Sequence, residues 1–279
     1  DAPVITAGGT DTGIVSEPLG TPGALPVAVN GSFAFTDADH SDLPGSGGAA
    51  ILGSSLSVTP GSLTAAQITA ANLLSSAFSI SLAGGATNDG TINWSFAPAA
   101  GALDFLREAQ TANLVFTVTI ADGHGGSTTR DVTISLTGTN DVITHGAAAD
   151  NAVGDVTEPG DATATVSTTG TVDFRDADLT DNPVIVTRNN GTSTLPAGNT
   201  GTLTQAITSG PDGSGLRTLT WTYENSHANL NYLGDGDSLT DVFNIRVLDQ
   251  ASGGFLNFPV TITVHGTNDA PVLSAVTPA

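Results

Sequence analysis

The chain has 279 residues, a net charge of −21 and no cysteine; its six basic residues are all arginine. A chain this acidic lacks the basic patch that nucleic acid or anionic lipid needs, and without cysteine it has no thiol nucleophile, thiolate zinc site or iron–sulfur cluster. No apolar run approaches the roughly 20 residues of a membrane span, and abundant Gly and Thr with few aromatics suit short strands joined by many turns.

In chain order the first feature is Asp1-Ala2-Pro3-Val4, which recurs as Asp269-Ala270-Pro271-Val272. Gly266-Thr267-Asn268 precedes that second copy, and Gly138-Thr139-Asn140-Asp141 shares the same Gly-Thr-Asn-Asp core. The chain therefore reads as an excerpt of a tandem array with two whole units, residues 1–140 and 141–279, the latter including the start of a further linker. Between about residues 40 and 92 the first unit carries a surplus of 12 residues over the second. The stretch Leu63–Leu74, which Ser62 could cap, predicts a short Ala-rich helix there.

From Trp94 to Asp122 the first unit matches Trp221 to Asp249 without a gap. Leu114, Phe116, Val118 and Ile120 alternate with smaller or polar residues, as do Val132, Ile134 and Leu136. Phe243, Ile245 and Val247 repeat the pattern, followed by Val260, Ile262 and Val264. Period two with one apolar face predicts half-buried strands, and several of them between Gly- and Asn-rich turns predict an antiparallel sandwich in each unit. Trp94 and Trp221 are expected in the two cores. The five histidines show no metal-ligand spacing and are expected on loops or the surface.

The acids recur in order. Each unit has a Glu next to Pro (Glu17, Glu158) and then Asp-Ala-Asp (Asp37 and Asp39; Asp176 and Asp178). An acid follows the Leu-x-Phe/Tyr-Leu segment (Glu108, Asp235), and an Asp ends a long strand (Asp122, Asp249), before Asn-Asp closes the unit. Any one of them could be a turn residue bonding its own backbone. A hard divalent cation such as calcium needs about six to eight oxygens, which a single loop rarely gathers but two sides of a junction can.

The order of Glu, Asp-x-Asp, Leu106-Arg107-Glu108, strand-end Asp and junction Asn-Asp-x-Pro resembles cadherin repeats. The ending Gly-Thr-Asn-Asp-Ala-Pro-Val is more closely similar to the VCBS and cadherin-like repeats of bacterial RTX-type, type I secreted adhesins. The resemblance implies two tandem cadherin-like (Ig-like) antiparallel Greek-key β-sandwiches, all-β apart from the short helix in the first. It also implies Ca2+ between successive domains. Carried over, the central junction would use Glu17, Glu108, Asn140 (through its backbone carbonyl), Asp141, Asp176, Asp178 and Asp249. Asp1, Asp37, Asp39 and Asp122 would form an N-terminal half-site; Glu158, Asp235, Asn268 and Asp269 would form a C-terminal one. Two departures remove ligands: Gly138 and Leu106 stand where cadherins carry Asp, so fewer than three ions per junction are expected. Arg107 could neutralise one carboxylate instead.

An EF-hand at Asp37 or Asp176 is excluded, because the sixth and twelfth loop positions lack the required Gly and Glu. No nucleophile elbow or phosphate-binding loop is present, and acids at repeat-equivalent positions do not suggest an active site, so no enzyme is expected. The expected function is a calcium-stiffened extender segment of a large adhesin, secreted to the bacterial surface and associated with the outer membrane, serving adhesion or biofilm formation. Its partners would be neighbouring repeats of the same chain. The alternative is a calcium-dependent polysaccharide-binding module, with Asn189–Asn199 or the first unit's surplus as the binding loop; homotypic contacts are a third reading.

Overall fold

The computed structural model describes residues 1–20, 22–39, 53–59, 63–83, 89–146, 150–160, 164–189, 193–249 and 253–271. The chain forms two compact units: Asp1–Val142 with Ala177–Asp181, and Ile143–Asp176 with Asn182–Ala279.

In the first unit the strands are β1 (Val4–Ile5), β2 (Thr12–Ser16), β3 (Val29–Thr36), β4 (Gly53–Thr59), β5 (Phe78–Ala83), β6 (Asp89–Phe96), β7 (Thr111–Ala121) and β8 (Ser127–Thr137). They form two sheets, ordered β1-β3-β6-β5 and β2-β8-β7-β4. The predicted alternation is realised along β7, where Ala112, Leu114, Phe116, Val118 and Ile120 are all buried while their neighbours are not. Val132, Ile134 and Leu136 of β8 face the same core, and Phe33, Phe35, Ile92, Trp94 and Phe96 come from the opposite sheet. Phe78 and Phe116 stack across it with ring centroids 4.1 Å apart. Burying each of these large side chains stabilises the fold by roughly 1.5–3 kcal/mol, so the inward faces decide the sandwich.

The second unit repeats the plan with β9 (Thr144–His145), β10 (Val153–Thr157), β11 (Thr165–Arg175), β12 (Val184–Asn189), β13 (Thr202–Ser209), β14 (Leu216–Ser226), β15 (Ser238–Leu248) and β16 (Phe255–His265). Its sheets run β9-β11-β14-β13 and β10-β16-β15-β12. Both units are all-β sandwiches, each with two four-stranded sheets. Each adds one parallel pairing that alternation alone does not register: β2 with β8, and β10 with β16.

Trp94 and Trp221 are core residues, 2% and 0% exposed. The indole Nε1 of Trp94 donates to the Thr10 carbonyl at 2.6 Å, and that of Trp221 to the Asn151 carbonyl at 2.8 Å. Gly31 makes room for the first ring, since a β-carbon there would lie 2.5 Å from it; Gly170 does the same for the second.

A short helix stands where one was expected. Helix α1 (Ala65–Leu73) begins at Thr64, whose hydroxyl accepts from the Gln67 N–H while Gln67 reaches back to the Thr64 N–H. This capping box replaces the expected cap at Ser62, which lies outside the described residues. The Gln67 side chain then bonds the Phe105 carbonyl and Gln110, both at 2.7 Å, which ties the helix to the turn ahead of β7. Among the described residues of the second unit, the one helix is the single turn α2 (His227–Leu230). Its His227 is 8% exposed, against the surface position expected of the histidines. No helix among the described residues is long and apolar enough to cross a membrane.

Candidate metal centre

Glu17 follows β2 at one end of the first sandwich and is 4% exposed. Its backbone N–H continues the pairing with β8 by donating to the Thr137 carbonyl. Its Oε2 accepts the Thr139 N–H at 2.8 Å, while Oε1 is buried with no hydrogen-bond partner among the described residues. Asp141 lies just beyond β8, 1% exposed, with its N–H donating to Asp178 Oδ2 at 2.9 Å. Asp104, half-buried in the turn between β6 and β7, receives the Gly23 N–H at 2.8 Å. Carboxylate oxygens of Glu17, Asp104 and Asp141 all lie within 4.8 Å of one another.

Two oxygens each about 2.4 Å from a calcium-sized cation are at most about 4.8 Å apart, so the spacing of the three meets a condition that sharing one hard divalent ion requires. The donors are all oxygen, which suits such an ion and not a soft metal. Without it the carboxylates oppose one another. Burial pushes the Glu17 carboxyl up to about 8; Asp141 and Asp104 push the same way, against the lowering bond from Thr139. A cation would remove that conflict.

Each letter of Gly-Thr-Asn-Asp has a physical role here. A β-carbon on Gly138 would collide with the backbone oxygens of Leu106 and Arg107, so the cadherin Asp could not be placed there in this backbone. Thr139 holds Glu17 through its N–H, and the Asn140 side chain donates to the Asp141 carbonyl at 3.0 Å. Asn140 is 9% exposed, and Asp141 supplies one of the three grouped carboxylates.

The remaining expected ligands divide. Asp178 is fully buried and joins the group through the Asp141 N–H. Glu108 is exposed and stands outside the three-carboxylate group, as does Arg107, which has no carboxylate at ion-pair distance among the described residues. In the second unit Asp176 is buried against Arg217 at 2.8 Å, and Asp249 is 5% exposed at the end of β15.

The expected N-terminal residues converge at one end of the first unit. Asp39 Oδ2 contacts the amino group of Asp1, and buried Asp37 accepts the Asp39 N–H at 3.1 Å. Asp122 accepts the N–H groups of His124 at 2.7 Å and Gly126 at 2.9 Å, and the His124 bond leads in holding its carboxyl below the usual range. A β-carbon on Gly126 would run into both the Asp122 carboxylate and Ala2, so these segments are in close contact.

Among the expected C-terminal residues, Glu158 repeats the Glu17 geometry: it is 3% exposed and its Oε2 accepts the Thr267 N–H at 3.1 Å. The Asn268 side chain reaches the Asp269 carbonyl at 3.4 Å, but Asn268, Asp269 and Asp235 are exposed. His227 Nδ1 lies 3.9 Å from Glu158 Oε1 and 2.8 Å from the Pro159 carbonyl.

Asp104 escapes the sequence reading because its counterpart in the second unit is Asn231. Requiring an acid in both copies passes over a clustered carboxylate that only one copy has. The sequence signal was the Leu-Asp-Phe-Leu segment itself, whose flanking Leu103 and Leu106 are fully buried and fix where Asp104 emerges.

No protein-family model matches the chain, and no curated protein matches it in sequence. Among solved structures, the chain is similar to a protocadherin gammaB7 fragment containing domains EC3-6, at 14% identity, 95% of this chain, 50% of that chain and a TM-score of 0.38. It is also similar to mouse cadherin-23 EC22-24, at 15% identity over 95% of this chain and 66% of that chain, TM-score 0.33. The Ig1-2 module of the Drosophila receptor protein tyrosine phosphatase DLAR matches at 13% identity over 95% and 99% of the two chains, TM-score 0.21. At these values the fold assignment rests on the strand topology itself.

Proposed function

We propose that this chain is a calcium-stiffened structural segment of a bacterial cell-surface adhesin, with ions held where one unit passes into the next. The observation that carries the reading is the group Glu17, Asp104 and Asp141, with oxygens within 4.8 Å and a buried Glu17 Oε1 that no protein donor meets. Asp104 takes the role expected of Glu108. Asp178 and the Asn140 carbonyl are the next ligands, and Asp176 and Asp249 would complete the set from the second unit.

The mechanism is mechanical. Calcium would neutralise clustered carboxylates and restrict the linker around Asn140–Val142, turning a hinge into a strut. At 100 times its dissociation constant the ion would add about 2.7 kcal/mol to the stability of the bound form. The sets at Asp1, Asp37, Asp39 and Asp122, and at Glu158, Asp235, Asn268 and Asp269, would be completed by adjoining repeats, so ions would recur along an array.

Small-angle X-ray scattering in chelator and then in millimolar calcium tests the proposal, with calorimetry to count the ions. Calcium should lengthen the maximum dimension and reduce flexibility. Calcium binding with an unchanged scattering profile would leave a metal site without a stiffening role and sink the mechanical reading.

A further inference from the structure

The second unit contains an open cleft of about 230 Å³, lined by hydroxyl, amide and carboxylate residues, that the calcium reading leaves unused. Its walls are Thr165 of β11, Thr202 of β13 with neighbouring Thr200, Glu224 and Ser226 of β14, and Asn229 of α2. Strand pairing sets Thr202 opposite Glu224 and Thr165 opposite Ser226, so three adjacent strands contribute at one end of a sheet. None of these residues is among the metal-ligand candidates.

The floor is built from buried, fully engaged groups. Asn225, 4% exposed, donates to the Asn199 carbonyl at 3.0 Å and the Tyr223 hydroxyl at 2.9 Å. Its Oδ1 accepts the Ser226 N–H and the Asn229 side chain, both at 2.9 Å. Beneath it, the Tyr223 hydroxyl donates to Asp241 at 3.1 Å, and Asp241 also accepts the Gly201 N–H at 2.7 Å. Wall residues are thus positioned from below before any ligand arrives, which lowers the entropy cost of binding. By contrast, the hydroxyls of Thr165, Thr200, Thr202 and Ser226 and the Glu224 carboxylate make no hydrogen bonds among the described residues.

The lining selects a chemical class. Hydroxyls both donate and accept, and a carboxylate takes the protons of two adjacent hydroxyl groups. The wall residues include no cation to hold an anion and no aromatic ring, while the threonine methyls offer small apolar contacts of the kind that the C–H face of a sugar makes. The volume falls below the ~300 Å³ at which drug-sized pockets begin, so the occupant is small. We propose that this cleft binds one sugar ring of a neutral glycan, with Glu224 accepting from paired sugar hydroxyls and the threonines completing the contacts.

Ligand-observed NMR on the full chain tests this with methyl glucoside, methyl galactoside, methyl mannoside and N-acetylglucosamine, each in calcium and in chelator. At least one should bind with a dissociation constant on the order of 1 mM, a value in keeping with so small a contact. Glu224→Ala should weaken that binding about tenfold or more and Thr202→Val a few-fold. Asn93→Ala, in the first unit, should leave it unchanged. Binding should persist in chelator, so the outcome stands apart from the fate of the calcium proposal. Failure of the whole panel to bind folded protein overturns the inference. So does binding that is indifferent to both cleft variants, or that vanishes with chelator while the fold persists.

Discussion

Glu17 and Glu158 make the same bond to the same letter of the same motif, yet their surroundings differ. Glu17 has Asp104 and a buried Asp141 beside it; Glu158 has exposed Asp269 after it and His227 within 3.9 Å, while Asn231 replaces Asp104. The first corner collects carboxylates, and the second sets an imidazole beside its glutamate. The cores differ in the same manner. Where the first unit has Phe96 and Leu114, the second has Tyr223 and Asp241, with Asp241 fully buried and bonded to Ser193, Gly201 and Tyr223. The first unit instead buries Gln67 of α1, bonded to the Phe105 carbonyl and Gln110, within the region of the 12-residue surplus that the second lacks. A shared scaffold thus fixes backbone positions, while single substitutions at matched positions decide whether a spot is apolar, hydrogen-bonded or crowded with carboxylates.

The sharpest way to break this comparison is in the second core. Asp241→Ala leaves the Tyr223 hydroxyl, the Ser193 hydroxyl and the Gly201 N–H without their acceptor, and should cost about 3 kcal/mol in chemical denaturation. The double change Tyr223→Phe with Asp241→Leu, which copies the first unit, should recover part of that loss; strict additivity of the two changes would show that the pair does not act together.

At the corners, Glu17→Gln should weaken the tightest calcium site by about 100-fold in calorimetry, whereas Glu158→Gln should leave it within about threefold. Equal losses would mean that the central site is not built around Glu17. A subtler exchange swaps the distinguishing residue: Asp104→Asn should cost about tenfold in calcium affinity, and Asn231→Asp should add a weak site near Glu158. No change on Asp104→Asn would return Glu108 to consideration. The smallest effect concerns the surplus segment, where Thr64→Ala should destabilise the protein by about 1 kcal/mol through loss of the capping box. A negligible change would show that packing of Gln67, and not the cap, holds the helix.

Much of the fold was legible in the sequence because strand burial is a local matter of period two. The positions Leu114, Phe116, Val118 and Ile120 announce their face wherever the strand ends up, and Leu63–Leu74 announces a helix by composition. The site was legible in part. Glu17, Asp141 and Asp178 stand in ordered motifs, but Asp104 has no repeat partner, and Glu108 faces solvent despite its place in the pattern.

What the sequence determined by itself is the repeat, its two all-β units and the excess of carboxylates near their ends, since these follow from composition and short-range spacing. Only the tertiary structure decided which carboxylates meet. Glu17, Asp104 and Asp141 are far apart in the chain and come within 4.8 Å through the parallel pairing of β2 on β8 and the buried leucines around Asp104. That pairing is set by the packing of whole sheets, and no local pattern of residues encodes it.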